Sequence, residues 1–216
     1  MFTGFSPETI DFLWGIRMNN NREWFLEHKK DYVNHLYEPM KALGQDLFRL
    51  FADKPGGNLL KVSRIYRDAR MHHDTPYKES LWICIRRDVE WWAENPCLFL
   101  EICPEGVSYG LIWWHPRPGM MEDFRKAISA KPKEFLKLME QAEKSTGVPV
   151  VAETYKRTKG APVAALEPYY DWKGKIACTV DEPVSEQIFG PELGKRAGEF
   201  LEKLIPLYEY LNRFGG

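Results

Sequence analysis

Cysteine, long apolar runs and net charge are all scarce in this chain, and each absence excludes a class of protein. The 216 residues contain four cysteines and no Cys-x-x-Cys pair, so a fold held together by disulfides is not expected. No apolar run approaches the ~20 residues that cross a bilayer. Residues 1–15 also lack the basic and then apolar order of a signal peptide. The sequence therefore predicts a cytoplasmic protein with no membrane partner.

The acidic and basic residues nearly cancel, and the formal net charge is -1. Proteins that coat nucleic acid generally are strongly basic, so nucleic acid is disfavoured as a partner, although a local basic patch can still bind phosphate. The P-loop and the Gly-x-Gly-x-x-Gly motif of the standard nucleotide folds are missing, as is the Gly-x-Ser-x-Gly elbow of hydrolases. These absences predict no cofactor.

Histidine spacing predicts no metal site. His72 and His73 are adjacent and point to opposite faces of an extended chain, so they do not readily share one ion. His115 and Glu101 are the other residues that can complete a site with one of them. No His-x-His or His-x-x-x-His pair supports such a site, and zinc sites usually show clear ligand spacing.

Helical periodicity dominates the two ends of the chain. Ser6-Pro7-Glu8 is typical of a helix start. A second helix carries an apolar stripe from Phe25 to Phe51, in which Pro39 predicts a kink or a break. A Pro- and Gly-rich loop, residues 54–58, follows it. Later helices are predicted to begin near residues 118, 132 and 191.

The middle of the chain is β-prone. Leu81 to Ile85 is an apolar run typical of a strand buried on both faces. The alternating stretch from Cys97 to Cys103 and the apolar stretch from Val107 to Trp114 flank the compact turn Pro104-Glu105-Gly106, which predicts a hairpin.

Helices at both ends around a group of strands predict the α+β class. We expect a central, mainly antiparallel sheet, with an N-terminal helical pair and C-terminal helices packed on it. Residues 148–184 are harder to assign and include a candidate edge strand, Lys175 to Val180. No long linker interrupts residues 1–216, so we expect a single domain.

The stretch from Lys61 to Arg87 is the best candidate for a functional site, because charged and aromatic side chains are concentrated in it. Between Lys61 and Lys78, five basic residues accompany two acidic ones, a local charge of +3 before the histidines are counted. Arginines that converge from neighbouring positions make planar, bidentate sites for phosphate or carboxylate. The ligand-binding candidates in this stretch are Arg64, Arg67, Arg70, Tyr77 and Lys78.

An extended backbone would place alternate residues of this stretch on one face: Arg64, Tyr66, Asp68 and Arg70. Asp68 is the catalytic candidate, since it can orient an arginine or act as a general base if burial raises its pKa. The alternative is that the arginines pair with acidic residues of the flanking helices and only stabilise the fold. Both interpretations stay open, because functional sites and structural networks perturb charged groups alike.

Tryptophans are dense around the predicted strands: Trp82, Trp91, Trp92, Trp113 and Trp114. Such rings can stack on bases or sugars. Adjacent tryptophans on a strand point to opposite faces, however, and packing in a core or an interface is the commoner role of aromatic side chains. We favour packing, and an aromatic edge of a site stays open at Trp113 and Trp114.

Two stretches carry a resemblance to a known family. They are FTGFSPETIDFLWGIRMNNNREWFLEHKKDYVNHLYEPM near the start and RIYRDARMHHDTPYKE in the middle. Both resemble the uncharacterised DUF2461 family, whose signature reads R-I-Y-R-D-x-R-F…T-P-Y-K. Residues 124–128 and Tyr155-Lys156-Arg157 are similar to it as well. The chain departs from the pattern at Met71-His72-His73 and after Arg157.

The resemblance implies a small bacterial-type cytosolic α+β protein and supplies no reaction. It adds Asn20 to the ligand-binding candidates. It also implies that Asn20, Trp24 and Phe25 brace the central motif from the helix side.

Three hypotheses about function follow. The first is a binding module whose basic residues hold a small anionic, phosphate-bearing ligand. The second is a hydrolase or transferase acting on a phosphate-bearing or nucleic-acid substrate, with Asp68 as general base and the arginines stabilising charge. The third is a structural or protein-interaction domain in which the arginines only stabilise the fold. The sequence does not decide whether the chain is an enzyme.

Overall fold

Six strands form one antiparallel sheet, with helices packed on it, within the residues that the computed structural model describes: 1–51, 57–68 and 70–215. The predicted α+β class is confirmed. The strands are β1 (Asn58–Val62), β2 (Leu81–Arg87), β3 (Cys97–Cys103), β4 (Gly106–Trp113), β5 (Val151–Thr154) and β6 (Trp172–Pro183). Their order across the sheet is β1-β2-β3-β4-β6-β5. The loop predicted at residues 54–58 falls mostly outside the described residues.

The helices lie before and after the first four strands, as predicted. They are α1 (Pro7–Met18), α2 (Arg22–Glu27), α3 (Lys29–Asp31), α4 (Glu38–Phe48), α5 (Pro118–Ala130), α6 (Pro132–Thr146), α7 (Glu167–Tyr170) and α8 (Glu192–Leu211). A π-helix, Tyr32–Tyr37, connects α3 to α4. No helix among the described residues combines the length and the apolar character needed to cross a membrane.

The predicted hairpin is confirmed as β3 and β4. Gly106 opens β4 at φ 152°, and a Cβ at this position would lie 2.0 Å from the carbonyl oxygen of Glu182. Only glycine allows the backbones to approach this closely. The turn residue is therefore required by packing as well as by the turn itself.

β6 is longer than the strand predicted at Lys175 to Val180, and its predicted place at the edge of the sheet is wrong. β5 pairs antiparallel with β6 and takes the edge position instead. The buried run Ile176, Ala177 and Cys178 explains the difference, because a strand between two neighbours is more completely covered than an edge strand.

The predicted second helix is interrupted before Pro39, which occupies the first turn of α4. Pro39 has no N–H group to donate to the carbonyl of His35, four residues earlier. The Thr9 hydroxyl of α1 donates to that carbonyl at 2.6 Å. Thr9 Oγ1 also accepts the N–H of Ser6 at 3.2 Å. The His35 carbonyl, left without a donor by Pro39, is thus hydrogen-bonded by a side chain from another helix.

The chain divides into two compact units. Unit 1 comprises Met1–Ile85, Phe99–Tyr109 and Asp181–Glu199, and unit 2 comprises Arg86–Leu98, Gly110–Val180 and Phe200–Gly216. The expectation of a single domain over residues 1–216 stays a prediction.

Each unit has its own buried side chains. In unit 1, α4 packs on β1, and Gly44 of α4 lies close to the side chains of Leu60 and Ile83. In unit 2 the rings of Phe124 and Trp172 stack with centroids 5.8 Å apart. These contacts bury large apolar surfaces, which is the main stabilising contribution to folding.

We predict that Thr9→Val destabilises the chain although it keeps the shape of the side chain. Valine leaves the part-buried carbonyl of His35 and the N–H of Ser6 without their partner, which costs about 1–3 kcal/mol of unfolding free energy. Urea unfolding measures the difference. Thr9→Ser keeps the hydroxyl and is the control; a valine variant as stable as the serine variant contradicts the prediction.

Candidate functional site

The central stretch folds as a loop closed by antiparallel backbone pairing, which we call the polar loop (residues 63–82). Tyr66 and Tyr77 form an isolated antiparallel bridge within it. Three N–H groups donate across the loop: Ser63 to the Trp82 carbonyl at 2.8 Å, Lys78 to the Ile65 carbonyl at 2.7 Å, and Arg67 to the Pro76 carbonyl at 2.8 Å. The pairing brings residues near 64 next to residues near 78.

Asp68 and Arg70 pair with each other at the tip of the polar loop. The chain turns here, since the Asp68 carbonyl accepts the N–H groups of Met71 and His72 at 3.0 Å. The extended geometry predicted for this stretch is therefore wrong at the tip. Arg70 Nε and Nη2 donate to the two Asp68 carboxylate oxygens at 3.0 and 2.6 Å.

The environment of Asp68 does not suit a general base. Its side chain is exposed, and the hydrogen bonds from Arg70 lower the pKa of Asp68 while raising the pKa of Arg70. A carboxylate acts as a base near neutral pH when burial raises its pKa. The pKa of Asp68 shifts in the opposite direction, and its role as a general base stays a prediction.

Asn20 and Phe25 attach the polar loop to the N-terminal helices of unit 1. Asn20 Nδ2 donates to the Tyr77 carbonyl and Asn20 Oδ1 accepts the Tyr77 N–H, both at 3.0 Å. The Phe25 ring stacks on the buried Tyr77 ring at a centroid distance of 4.3 Å, and burial raises the pKa of Tyr77. Asn20 and Phe25 thus brace the loop at Tyr77. Trp24, expected to share this role, stacks on His28 at 3.9 Å.

Arg67 belongs to a row of alternating charges. Its Nη1 donates to Thr75 Oγ1 at 3.1 Å, and its Nη2 lies 3.7 Å from Glu79 Oε1. Glu79 Oε2 also accepts from Arg17 Nε at 2.8 Å, and Arg17 pairs in turn with Glu105. Hydrogen bonds from Arg17 lower the pKa of Glu105 to about 2. Part of the Arg67 guanidinium is therefore already occupied by the protein.

Lys78 lies beside the backbone of Arg64 and the ring of Trp82. Its Nζ donates to the Arg64 carbonyl at 2.8 Å and is 5.6 Å from the Trp82 ring centroid. Burial lowers the pKa of Lys78, the charges of Arg64 and Arg67 lower it further, and Glu101 opposes the effect. No carboxylate of the described residues pairs with the exposed guanidinium of Arg64. Arg64, Arg67 and Lys78 make up what we call the cationic group.

Three charged residues in or next to the polar loop were not among the predicted catalytic or ligand-binding residues: Glu79 within the loop, and Arg17 and Glu101 beside it. Glu101 accepts a hydrogen bond from Ser80 Oγ at 2.6 Å. It is the one charged side chain of β3, and a single charge in an apolar strand is a signal in the sequence that could have marked it as a site residue. Arg17 comes from α1 and lies 62 residues before Glu79, so no local pattern reveals their contact.

The histidines were weighed as metal ligands, and the structure shows what surrounds them. Among the described residues, no three His, Cys, Asp or Glu side chains are close enough to hold a metal ion. His72 and His73 are exposed near the loop tip, where His73 Nδ1 lies 3.2 Å from Asp74 Oδ1.

The tryptophans divide between core and surface. Trp113 is fully buried and its Nε1 donates to the Glu94 carbonyl at 2.6 Å, which confirms packing for this residue. Trp91 is 61% exposed, so it does not pack in the core, and packing at an interface stays a prediction there. The exposed Trp114 lies under the ammonium of Lys175, 4.7 Å from its ring centroid.

We predict that Asn20→Ala lowers the unfolding free energy by about 1–3 kcal/mol, because both partner groups on the Tyr77 backbone lose their hydrogen bonds. Urea unfolding followed by circular dichroism measures the change. Asn34→Ala, at an exposed position, is the matched control and should stay within about 0.5 kcal/mol of the parent. Equal effects at the two positions would show that Asn20 does not brace the loop.

One family model matches the chain, that of the conserved hypothetical protein DUF2461. The match covers residues 8–210 of 216 and includes the polar loop with its brace at Asn20. No curated protein shows significant similarity to the chain. The resemblance noted in the two sequence stretches is thereby confirmed. The chain belongs to the DUF2461 family, whose function is unknown.

Proposed function

We propose that the chain binds a phosphate-bearing anion at the cationic group. The observation that carries the proposal is the position of Arg64, whose exposed guanidinium has no carboxylate partner among the described residues. Its backbone carbonyl accepts a hydrogen bond from the Lys78 ammonium, and its charge lowers the pKa of Lys78. Like charges held together repel, and a bound anion relieves the repulsion. The guanidinium offers planar donors that match phosphate geometry, and the ammonium adds a compact charge.

The proposal uses part of the predicted ligand-binding set. Arg70 is left out because Asp68 accepts hydrogen bonds from its guanidinium. Asn20 is left out because both ends of its carboxamide bind the backbone of Tyr77. Arg67 stays in the set, since its contact with Glu79 is long, at 3.7 Å, and leaves donors for a ligand.

A purely structural role for the arginines is the competing interpretation. The contacts of Arg67 with Thr75 and Glu79 favour it at that residue. The contacts of Arg64 do not, because its exposed side chain has no such partner among the described residues. Arg64 is therefore the residue at which the two interpretations predict different results.

We predict that Arg64→Ala weakens anion binding about 10- to 100-fold, the equivalent of one lost charge-assisted hydrogen bond. A thermal-shift screen with inorganic phosphate, pyrophosphate and nucleotides finds the ligand. Saturation at 100 times the Kd should stabilise the parent chain by about 2.7 kcal/mol, a shift of roughly 5–10 °C for a chain of this size.

Arg70→Ala is the matched control for this experiment, since it removes one arginine from the same loop outside the cationic group. Its anion affinity should stay within about threefold of the parent, a difference of ~0.7 kcal/mol. Arg67→Ala should lower both affinity and stability. An anion that binds Arg64→Ala as tightly as the parent, or a parent that binds none of the anions, overturns the proposal.

We predict that anion affinity falls as the pH rises, and that it does so at a lower pH than the one at which an exposed lysine loses its proton. Lys78 must be protonated to attract the anion, and its pKa in the free protein is lowered by burial and by the two arginines. Affinity is therefore highest below that lowered pKa and declines as the pH rises through it. Isothermal titration calorimetry at several pH values measures the trend. In Lys78→Arg, whose charge does not titrate in this range, the decline should disappear; a parallel decline in both proteins contradicts the role of Lys78.

A further inference from the structure

A second concentration of basic side chains lies in unit 2, where residues 155–159 meet the start of β6. The cleft between them has a volume of about 650 Å³, within the ~300–1,000 Å³ typical of small-molecule sites. We call it the basic cleft. It is lined by Tyr155, Lys156, Arg157, Thr158, Lys159 and Lys173.

The four cations of the basic cleft have no carboxylate partner among the described residues. Within the part of the chain that the structure describes, none of their side chains lies in an ion pair. The chain as a whole carries a net charge of -1, and several of its other arginines are paired with carboxylates. The local excess of positive charge is therefore a property of this cleft and not of the composition.

Two acidic residues near the cleft, Asp171 and Glu153, do not pair with its cations. Asp171 Oδ1 accepts the backbone N–H of Lys159 at 2.7 Å. The carboxylate of Glu153 lies where a Cβ of Gly174 would point, at 2.8 Å. Successive residues of a strand face opposite sides, so this carboxylate lies on the face of β6 opposite to Lys173.

The segment that carries three of the cations is held in place by one residue. The Asp171 carbonyl accepts the N–H of Tyr155 at 2.8 Å, and its carboxylate accepts the N–H of Lys159. Both ends of the segment are thus anchored to the residue that precedes β6. A site whose groups are already positioned loses less conformational entropy when a ligand binds.

A buried guanidinium adds to the positive charge behind the cleft. Arg125 is 7% exposed, its Nη1 donates to the Trp172 carbonyl at 3.0 Å, and no carboxylate of the described residues pairs with it. Arg125 and Lys159 both lie over the Tyr155 ring, 5.9 and 4.5 Å from its centroid. A buried charge without a counter-ion is unfavourable, and an anion in the cleft would supply one nearby.

We propose that the basic cleft binds an anion carrying two or more phosphates. Four cations exceed what a single phosphate, with a charge of about −1.5 to −2 at neutral pH, can neutralise. A nucleotide-like small molecule and a nucleic-acid backbone share this chemistry. The inference does not depend on the cationic group, which belongs to unit 1.

The test is calorimetric titration of inorganic triphosphate into the full chain at low ionic strength. We expect the Kd to rise at least ~10-fold in Arg157→Ala/Lys173→Ala, which removes two cleft cations. Lys133→Ala/Lys137→Ala is the matched control, because it removes the same charge from exposed positions of α6 in the same unit. Its Kd should change less than about twofold, as expected for screened surface charges.

Two further proteins separate this proposal from the first. Arg64→Ala should retain triphosphate binding at the basic cleft, so failure at one site is not read as failure at the other. Lys156→Glu, at a different position in the cleft, should weaken binding as strongly as the double variant. Melting temperatures close to the parent are expected for all cleft variants, since these side chains are exposed.

Competition identifies the source of the phosphates. Displacement of triphosphate by a nucleoside triphosphate, without added strength from longer oligonucleotides, supports the proposal with a small-molecule ligand. Affinity that rises with the length of a single strand supports it with a nucleic-acid backbone. A parent chain that does not bind triphosphate, or equal weakening in the cleft and control variants, overturns it.

Discussion

The closure of the polar loop is the constraint on which the candidate site depends. Backbone hydrogen bonds between residues 63–67 and 76–82 bring Arg64 beside Lys78, although 14 positions separate them. Closing such a loop costs conformational entropy. The hydrogen bonds from Asn20 to the Tyr77 backbone and the stacking of Phe25 offset part of that cost. The helices of unit 1 therefore position the cations without belonging to the loop.

The placement of carboxylates decides what each cation can do. Asp68 neutralises Arg70 through two hydrogen bonds, and Glu79 interacts with Arg67 at a longer distance. Arg64 has no such partner among the described residues. The local charge counted along the sequence treats these three arginines alike, but only the unpaired one retains its full attraction for an anion. The same criterion distinguishes the basic cleft from the paired arginines elsewhere in the chain.

Elements set by local patterns were predictable. The cap signal at Ser6, the hairpin around Gly106 and the helical stripe of α6 each depend on residues close together in sequence, and all three were found. The kink or break predicted from Pro39 corresponds to a π-helix, Tyr32–Tyr37, that runs directly into α4. The hydrogen bond from the Thr9 hydroxyl to the His35 carbonyl was not predicted, because that contact joins two helices. The edge position of β5 escaped prediction for a similar reason, since strand order is a property of the whole sheet.

The sequence by itself determined the α+β class, the family, and the stretch in which charged residues are concentrated. These follow from periodicity, turn chemistry and motif, all of which are written along the chain. The tertiary structure decided which residues of that stretch meet. In the folded chain Asp68 accepts a hydrogen bond from Arg70, and Asn20 binds the backbone of Tyr77. The Lys78 ammonium donates to the carbonyl of Arg64. Electrostatic and hydrogen-bonding interactions depend on distances in space and on burial, which spacing along the sequence does not specify.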